Sequence, residues 1–201
     1  MHSRFQSRTG QKVAAAIAAS LLVAQCVLLC WNGASHSPTI NEIGHIPAGI
    51  SHWQYGVFHI YRVNPPLPRM VATIPILLRG VKTDWTNYDL NPLARNEVSL
   101  GIKFANVNGS DTFRVFTISR WACVPFCLLG GWVCYRWASE LWGPISGISA
   151  LVLWSTSPII LGHGALVMPD VPAAAMGITA TWQFWKCARQ PTWSQAVFVG
   201  L

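Results

Sequence analysis

The sequence predicts an all-α protein: a polytopic transmembrane helix bundle with a long external loop containing interfacial helices. Three observations predict it. Of 201 residues, 52% are hydrophobic and only 10% are charged, against about 25% charged in soluble domains. The apolar residues collect in blocks sized for roughly 30 Å of hydrocarbon. Basic residues flank those blocks and alternate to one side of the membrane.

Residues 1–12 carry Arg4, Arg8 and Lys12 and form the N-terminus. Residues 13–31 are uncharged throughout, long enough to cross a bilayer at ~1.5 Å per residue. A cleaved signal peptide is the rival reading. Its apolar core is usually only about 7–15 residues, and the small-residue exit near Ala34 is a weak cleavage signal. Residues 32–117 form the external loop, and residues 118–142 form helix two, with Arg136 and Glu140 near its far end. Long side chains there reach the interface. Helix three spans 145–161. Helix four spans 171–185 and is rich in Ala, Gly and Thr, which let helices pack closely in lipid. Residues 191–201 read as the start of a truncated fifth helix. The chain is therefore expected to be the N-terminal part of a longer membrane protein, or a truncated gene product.

Arg4, Arg8, Lys12, Arg136, Lys186 and Arg189 all fall on one side when the helices alternate. The positive-inside rule makes that side the cytoplasm of a multi-pass protein of the cell (inner or plasma) membrane. The basic residues of 32–117 do not count, because that loop exceeds about 60 residues. The net charge of +7 in a soluble protein would suggest nucleic acid. No basic stripe with interleaved aromatics forms a groove here and the charges flank membrane helices, so binding of anionic headgroups or phosphates is a better reading than nucleic acid, and membrane lipids are expected partners. Many of the 11 tryptophans, such as Trp31, Trp142, Trp182 and Trp185, sit near predicted helix ends, where an aromatic belt is expected. The cysteines show neither metal nor redox spacing.

Within the external loop, Ile43, Ile46, Ile50, Trp53 and Phe58 recur at roughly helical spacing, which predicts a short interfacial helix. After Asn64-Pro65-Pro66-Leu67-Pro68-Arg69 comes Met70 to Leu78, apolar but too short to span, and expected to lie along the membrane surface. Val81 to Asp111 reads as polar and turn-rich. Asn108-Gly109-Ser110 matches a glycosylation acceptor but reads better as a plain turn.

The chain has seven acidic residues, and an acidic residue at membrane depth needs a reason. Glu42 and Asp170 fall on the same external side. Each is a candidate catalytic or metal-binding carboxylate, and each has a plainer role at a helix start, where it complements the dipole. His45 and His163 are interface histidines or ligands.

The order of these motifs resembles the polytopic, lipid-carrier-dependent glycosyltransferases of the GT-C class. The resemblance is to family 39, the protein mannosyltransferase-like and aminoarabinose transferase-like branch. There, helix one is followed by an Asp-Glu motif, a His and a Gly, and then Pro-Pro-Leu. Here that region is Asn41-Glu42-Ile43-Gly44-His45, Gly49, Gly56 and Asn64-Pro65-Pro66-Leu67. Arg120, Leu141-Trp142-Gly143, Ser157-Pro158, His163-Gly164, Asp170 and Arg189-Gln190-Pro191-Thr192-Trp193 look like the family's later landmarks. The resemblance covers about residues 11–201. The family usually has Asp where this chain has Asn41, and an amide cannot take a proton at neutral pH.

The resemblance implies transfer of a sugar from a polyprenyl-phosphate donor to a lipid, glycan or protein acceptor at the external face. Glu42, Asp170 and Asn41 would be the catalytic positions. His45, Arg62, Arg69, Arg120 and His163 would bind substrate or phosphate, and the one cofactor allowed for is a divalent metal ion. With four complete helices, the chain alone is expected to be inactive. The same residues leave a transporter subunit or a non-catalytic, decayed paralogue open. The transporter would be expected to carry broken helices near the midplane, and the sequence shows none.

Overall fold

The computed structural model describes residues 8–86, 88 and 96–200. Every regular element among them is helical: α1 (Arg8–Ser35), α2 (Ile40–Tyr55), α3 (Leu67–Leu78), α4 (Glu97–Asn108), a 3-10 turn (Gly109–Asp111), α5 (Thr112–Trp142), α6 (Pro144–Thr156), α7 (Pro158–Gly164), α8 (Asp170–Arg189) and α9 (Trp193–Gly200).

Two runs are long and apolar enough to cross a membrane: Thr9–Ser35, of 27 residues, and Glu97–Trp142, of 46 residues. A third candidate is the pair α6–α7, bent by 59° at Ser157. This corrects two expectations. The block 145–161 is not one straight helix, and a broken helix is present. The reason is local. Pro158 disfavours helical geometry in the residue before it, and Ser157 is extended, with φ −61° and ψ 123°. α8 covers the expected fourth span and has 20 residues, but it is not among the helices apolar enough to be a candidate span. A third correction concerns 81–111, expected to be turn-rich. Its second half forms α4, and α4 and the 3-10 turn run into α5 as part of the second candidate span.

The chain divides into two compact units. The first comprises the described parts of Met1–Leu28, Pro125–Leu161 and Val171–Leu201. Buried polar contacts tie its helices. Gln25 Nε2 of α1 donates to Cys127 Sγ of α5 at 3.2 Å, Ser155 Oγ of α6 donates to Gln25 Oε1 at 3.2 Å, and Trp154 Nε1 donates to the Cys127 carbonyl at 3.0 Å. Between apolar helices such bonds act as glue, because the unpaired alternative is costly.

The second unit comprises the described parts of Leu29–Val124 and Gly162–Asp170. Ile46 and Ile50 of α2, Ala72 and Ile76 of α3, Phe104 of α4, Val115, Phe116 and Cys123 of α5, and Val167 make its core. α2 begins with the capping box Thr39-x-x-Glu42 and ends at Gly56, whose φ of +66° suits a glycine C-cap. It was expected to lie at an interface, yet Gly44 through His52 are all buried. Close approach on two sides explains this: Gly101 of α4 lies against Ile43, and Gly49 lies against α3. α3 keeps an apolar stripe exposed at Leu67, Ile74 and Leu78. At the end of α4, the Asn108 amide donates to the Phe104 and Lys82 carbonyls at 2.8 and 2.9 Å, which holds the expected turn.

A methyl group on Gly49 would meet the Arg69 carbonyl at 2.5 Å and Thr73 Cγ2 at 2.8 Å. Gly49→Ala is therefore expected to destabilise by about 1–3 kcal/mol, as overpacking does. A thermal melt of the detergent-solubilised protein checks this, and an unchanged Tm would show that α2 and α3 separate at little cost.

Candidate functional site

The site grows from the first turn of α2. The capping box places the Glu42 side chain back over the start of its own helix, where Thr39 N and Oγ1 donate to Oε2 at 3.0 and 3.1 Å. From α5, Arg120 approaches the same carboxylate side-on: Nε donates to Oε1 at 2.8 Å and Nη2 to Oε2 at 2.7 Å. From the loop before α8, the Val167 backbone N–H donates to Oε1 at 3.0 Å. Neither charged residue has more than 1% of its side chain exposed. Burial alone would raise the Glu42 pKa; the hydrogen bonds from Arg120, Thr39 and Val167 outweigh it and hold the carboxyl below its ordinary value.

Arg120 is saturated on its other side. Nη1 donates to the carbonyls of Gly33 at 2.8 Å and His36 at 2.7 Å, and Nη2 to that of Ser37 at 2.9 Å. These carbonyls belong to the last turn of α1 and the residues just past it, where a cation is favourable. One ion pair thus joins the end of α1, the start of α2, α5 and the loop 165–169.

A second group surrounds Tyr61, which has φ +52°, uncommon for a residue with a side chain. Arg69 fixes it there. Its guanidinium is buried, lies 5.6 Å from the Tyr61 ring centroid and donates to the carbonyls of Ile60 (3.3 Å), Tyr61 (3.0 Å), Asn64 and Pro65 (3.5 Å). Burial lowers the Arg69 pKa to about 10, so it stays charged at neutral pH. The Tyr61 hydroxyl donates to Asn41 Oδ1 at 3.2 Å, and its ring packs on His45 with centroids 4.3 Å apart. Burial, with the nearby Arg69 cation, pushes His45 down to about 3 against a smaller opposing pull from Glu42, leaving a neutral imidazole.

Asp170 and His163 form a third group. Their side chains are half exposed, with His163 Nδ1 and Asp170 Oδ2 3.9 Å apart. Arg62 is exposed. The structure therefore brings Glu42 to Arg120, Asn41 and His45 to Tyr61, and His163 to Asp170. Val167, three residues before Asp170, ties that loop to Glu42. Sequence reasoning missed Thr39, Tyr61 and the Val167 amide. The Thr39-x-x-Glu42 pattern is a visible signal; nothing in sequence marks the Val167 amide or the Tyr61 conformation.

The surroundings of Glu42 do not fit a divalent cation. Both oxygens already accept from a guanidinium and from other donors, and the neighbouring charge is positive. Among the described residues, no three His, Cys, Asp or Glu side chains converge. Comparison with protein-family models, curated proteins and solved structures finds no match to this chain.

Proposed function

We propose that this chain belongs to an integral membrane glycosyltransferase of the GT-C type, acting at the external face on a polyprenyl-phosphate-linked sugar. The supporting observation is the meeting of Glu42, Arg120 and the loop that ends in Asp170. These landmarks are distant in sequence, and the resemblance puts them in one site. Helices long and apolar enough to span a membrane suit a donor with a polyprenyl tail.

In this reading the acceptor hydroxyl or amine attacks the anomeric carbon. The bond from that carbon to the phosphate oxygen breaks, and the polyprenyl phosphate leaves with the electron pair. The acceptor proton passes to a carboxylate. Asp170 suits that step better than Glu42, because it is half exposed and not held by a guanidinium. Glu42, kept ionised by Arg120, is a weak proton acceptor and serves as a positioning residue. Arg62 is the exposed cation for the departing phosphate.

The test is release of polyprenyl phosphate from a panel of polyprenyl-phosphate sugars by membranes carrying the protein. Donor-dependent release supports the reading; no release with any donor overturns it. One observation favours a second reading, a transporter: the 59° break between α6 and α7. Sugar-independent uptake of a solute into proteoliposomes would support that instead.

Topology is a separate expectation. The basic flanks place residues 1–12 and the α5–α6 turn in the cytoplasm, with Glu42 and Asp170 external. Cysteines introduced at Ser110 and Ser139 check it. A membrane-impermeant thiol reagent added outside intact cells should label Ser110→Cys alone, and labelling of Ser139→Cys would sink the orientation.

A further inference from the structure

The first unit holds a cavity of about 510 Å³ that the proposed reaction does not use. Lys186 and Arg189 from the last turn of α8, Gln190 just beyond it, Trp185, Glu140 of α5 and Gln195 of α9 line it. Its charge is unbalanced. Glu140 is the one carboxylate, and it is shared: Arg136 Nη2 lies 3.5 Å and Lys186 Nζ 4.0 Å from Oε1, while Trp182 Nε1 donates to Oε2 at 2.9 Å. Arg189 has no ion pair among the described residues; its guanidinium sits 5.0 Å from the centroid of Trp185. Lys186 Nζ lies 3.4 Å from the centroid of Trp182. Indole faces hold both cations in place without neutralising them. Gln195 Oε1 is buried with no hydrogen-bond partner. Turning the amide over puts an NH2 donor at that position.

We propose that this cavity binds the phosphate of an anionic phospholipid headgroup. Lys186 and Arg189 supply the charge and Gln195 a neutral donor. A lipid fits better than a soluble anion because the same helices carry exposed apolar side chains for acyl chains. Phe184 on α8 is 62% exposed, and Trp193 and Val197, one turn apart on α9, are 91% and 60% exposed. Cations in the last turn of α8 also offset its carbonyl end, but that role needs neither a cavity nor the unpartnered Oε1 of the half-buried Gln195. The inference rests on the chain being embedded in a membrane and not on the glycosyltransferase reading.

The test uses the full chain in mixed micelles, with retained lipid counted by native mass spectrometry. The wild type should retain phosphatidylglycerol in preference to phosphatidylcholine. Lys186→Gln with Arg189→Gln should cut that preference by roughly 10- to 30-fold, two basic residues' worth of headgroup attraction. Arg189→Gln alone, which leaves Glu140 and its partners intact, should lower it by a smaller factor and keeps the test usable if the double variant misfolds. Arg79→Gln, on the second unit, should change nothing. Unchanged retention in the Arg189→Gln variant overturns the proposal, as does an equal loss in Arg79→Gln. Displacement of the lipid by equimolar inorganic phosphate would mark a soluble-anion site and overturn the lipid assignment.

Discussion

Arg120→Met is expected to cost about 3–5 kcal/mol, because it strands a buried carboxylate without its cation. The loss is larger than for an ordinary ion pair, since three backbone carbonyls and the Val167 amide meet at the same point. Arg120→Lys should recover little of it, because an ammonium cannot reproduce the two-pronged contact with Glu42 while reaching those carbonyls. Glu42→Gln with Arg120→Met should be milder than Arg120→Met alone, since no unpaired charge remains. The pH dependence has a fixed sign. Glu42 has a lowered pKa in the fold, so its contribution is present above the ordinary carboxylate range and is lost as pH falls through the folded value. His45 acts in the same direction: its folded pKa of about 3 lies below its ordinary 6.5, so stability is full above 6.5 and erodes as acid drives protonation. Tm measured from pH 8 to pH 4 should therefore begin to fall near neutrality and steepen in acid. A Lys variant as stable as the wild type would remove the ion pair from its role as the unit's clasp, and a profile flat from pH 8 to pH 4 would contradict the buried, neutral state of His45.

In the proposed glycosyltransfer reaction, with Asp170 as its base, Asp170→Asn is expected to lower sugar transfer by at least about 10²-fold, the usual contribution of a general base. Membrane insertion and Tm should be unchanged, because Asp170 is half exposed and 3.9 Å from its nearest ionic partner. Glu42→Gln should behave differently, losing folded protein along with activity. Measuring release of polyprenyl phosphate per folded molecule separates the two. Full activity in the Asp170→Asn variant would take that carboxylate out of the reaction. Wild-type specific activity in both variants would show that neither is the base.

Some of this was legible in the chain. Local chemistry fixes the helix ends: Thr39-x-x-Glu42 opens α2, Gly56 closes it, and Gly143-Pro144 separates α5 from α6. Hydropathy over long windows marks α1 and α5 as membrane-length segments, because burying or lipid-coating that many apolar groups is a property of composition. The break at Ser157-Pro158 was also written in the sequence, as a residue before proline, but an uninterrupted apolar block hid it. α4 was hidden for the opposite reason. Its residues alternate polar and apolar without strong periodicity, and its helical state depends on packing Leu100 and Phe104 into the second unit.

The sequence by itself determined that the chain is helical and has membrane-length apolar segments, since propensity and transfer free energy act over neighbouring residues. It also determined which carboxylates, histidines and arginines were available to a site. Only the tertiary structure decided their use. Arg69 and Arg120 looked like phosphate ligands at an interface; both are buried, Arg120 saturated by Glu42 and by carbonyls at the end of α1, and Arg69 turned onto the carbonyls of residues 60–65 with its Nε left unpartnered. Glu42 looked like either a base or a helix cap, and a cation 78 positions away made it an ionised clasp. The physical reason is that a charge's role follows from what surrounds it after folding. Desolvation and hydrogen bonding depend on partners that no local window of sequence contains.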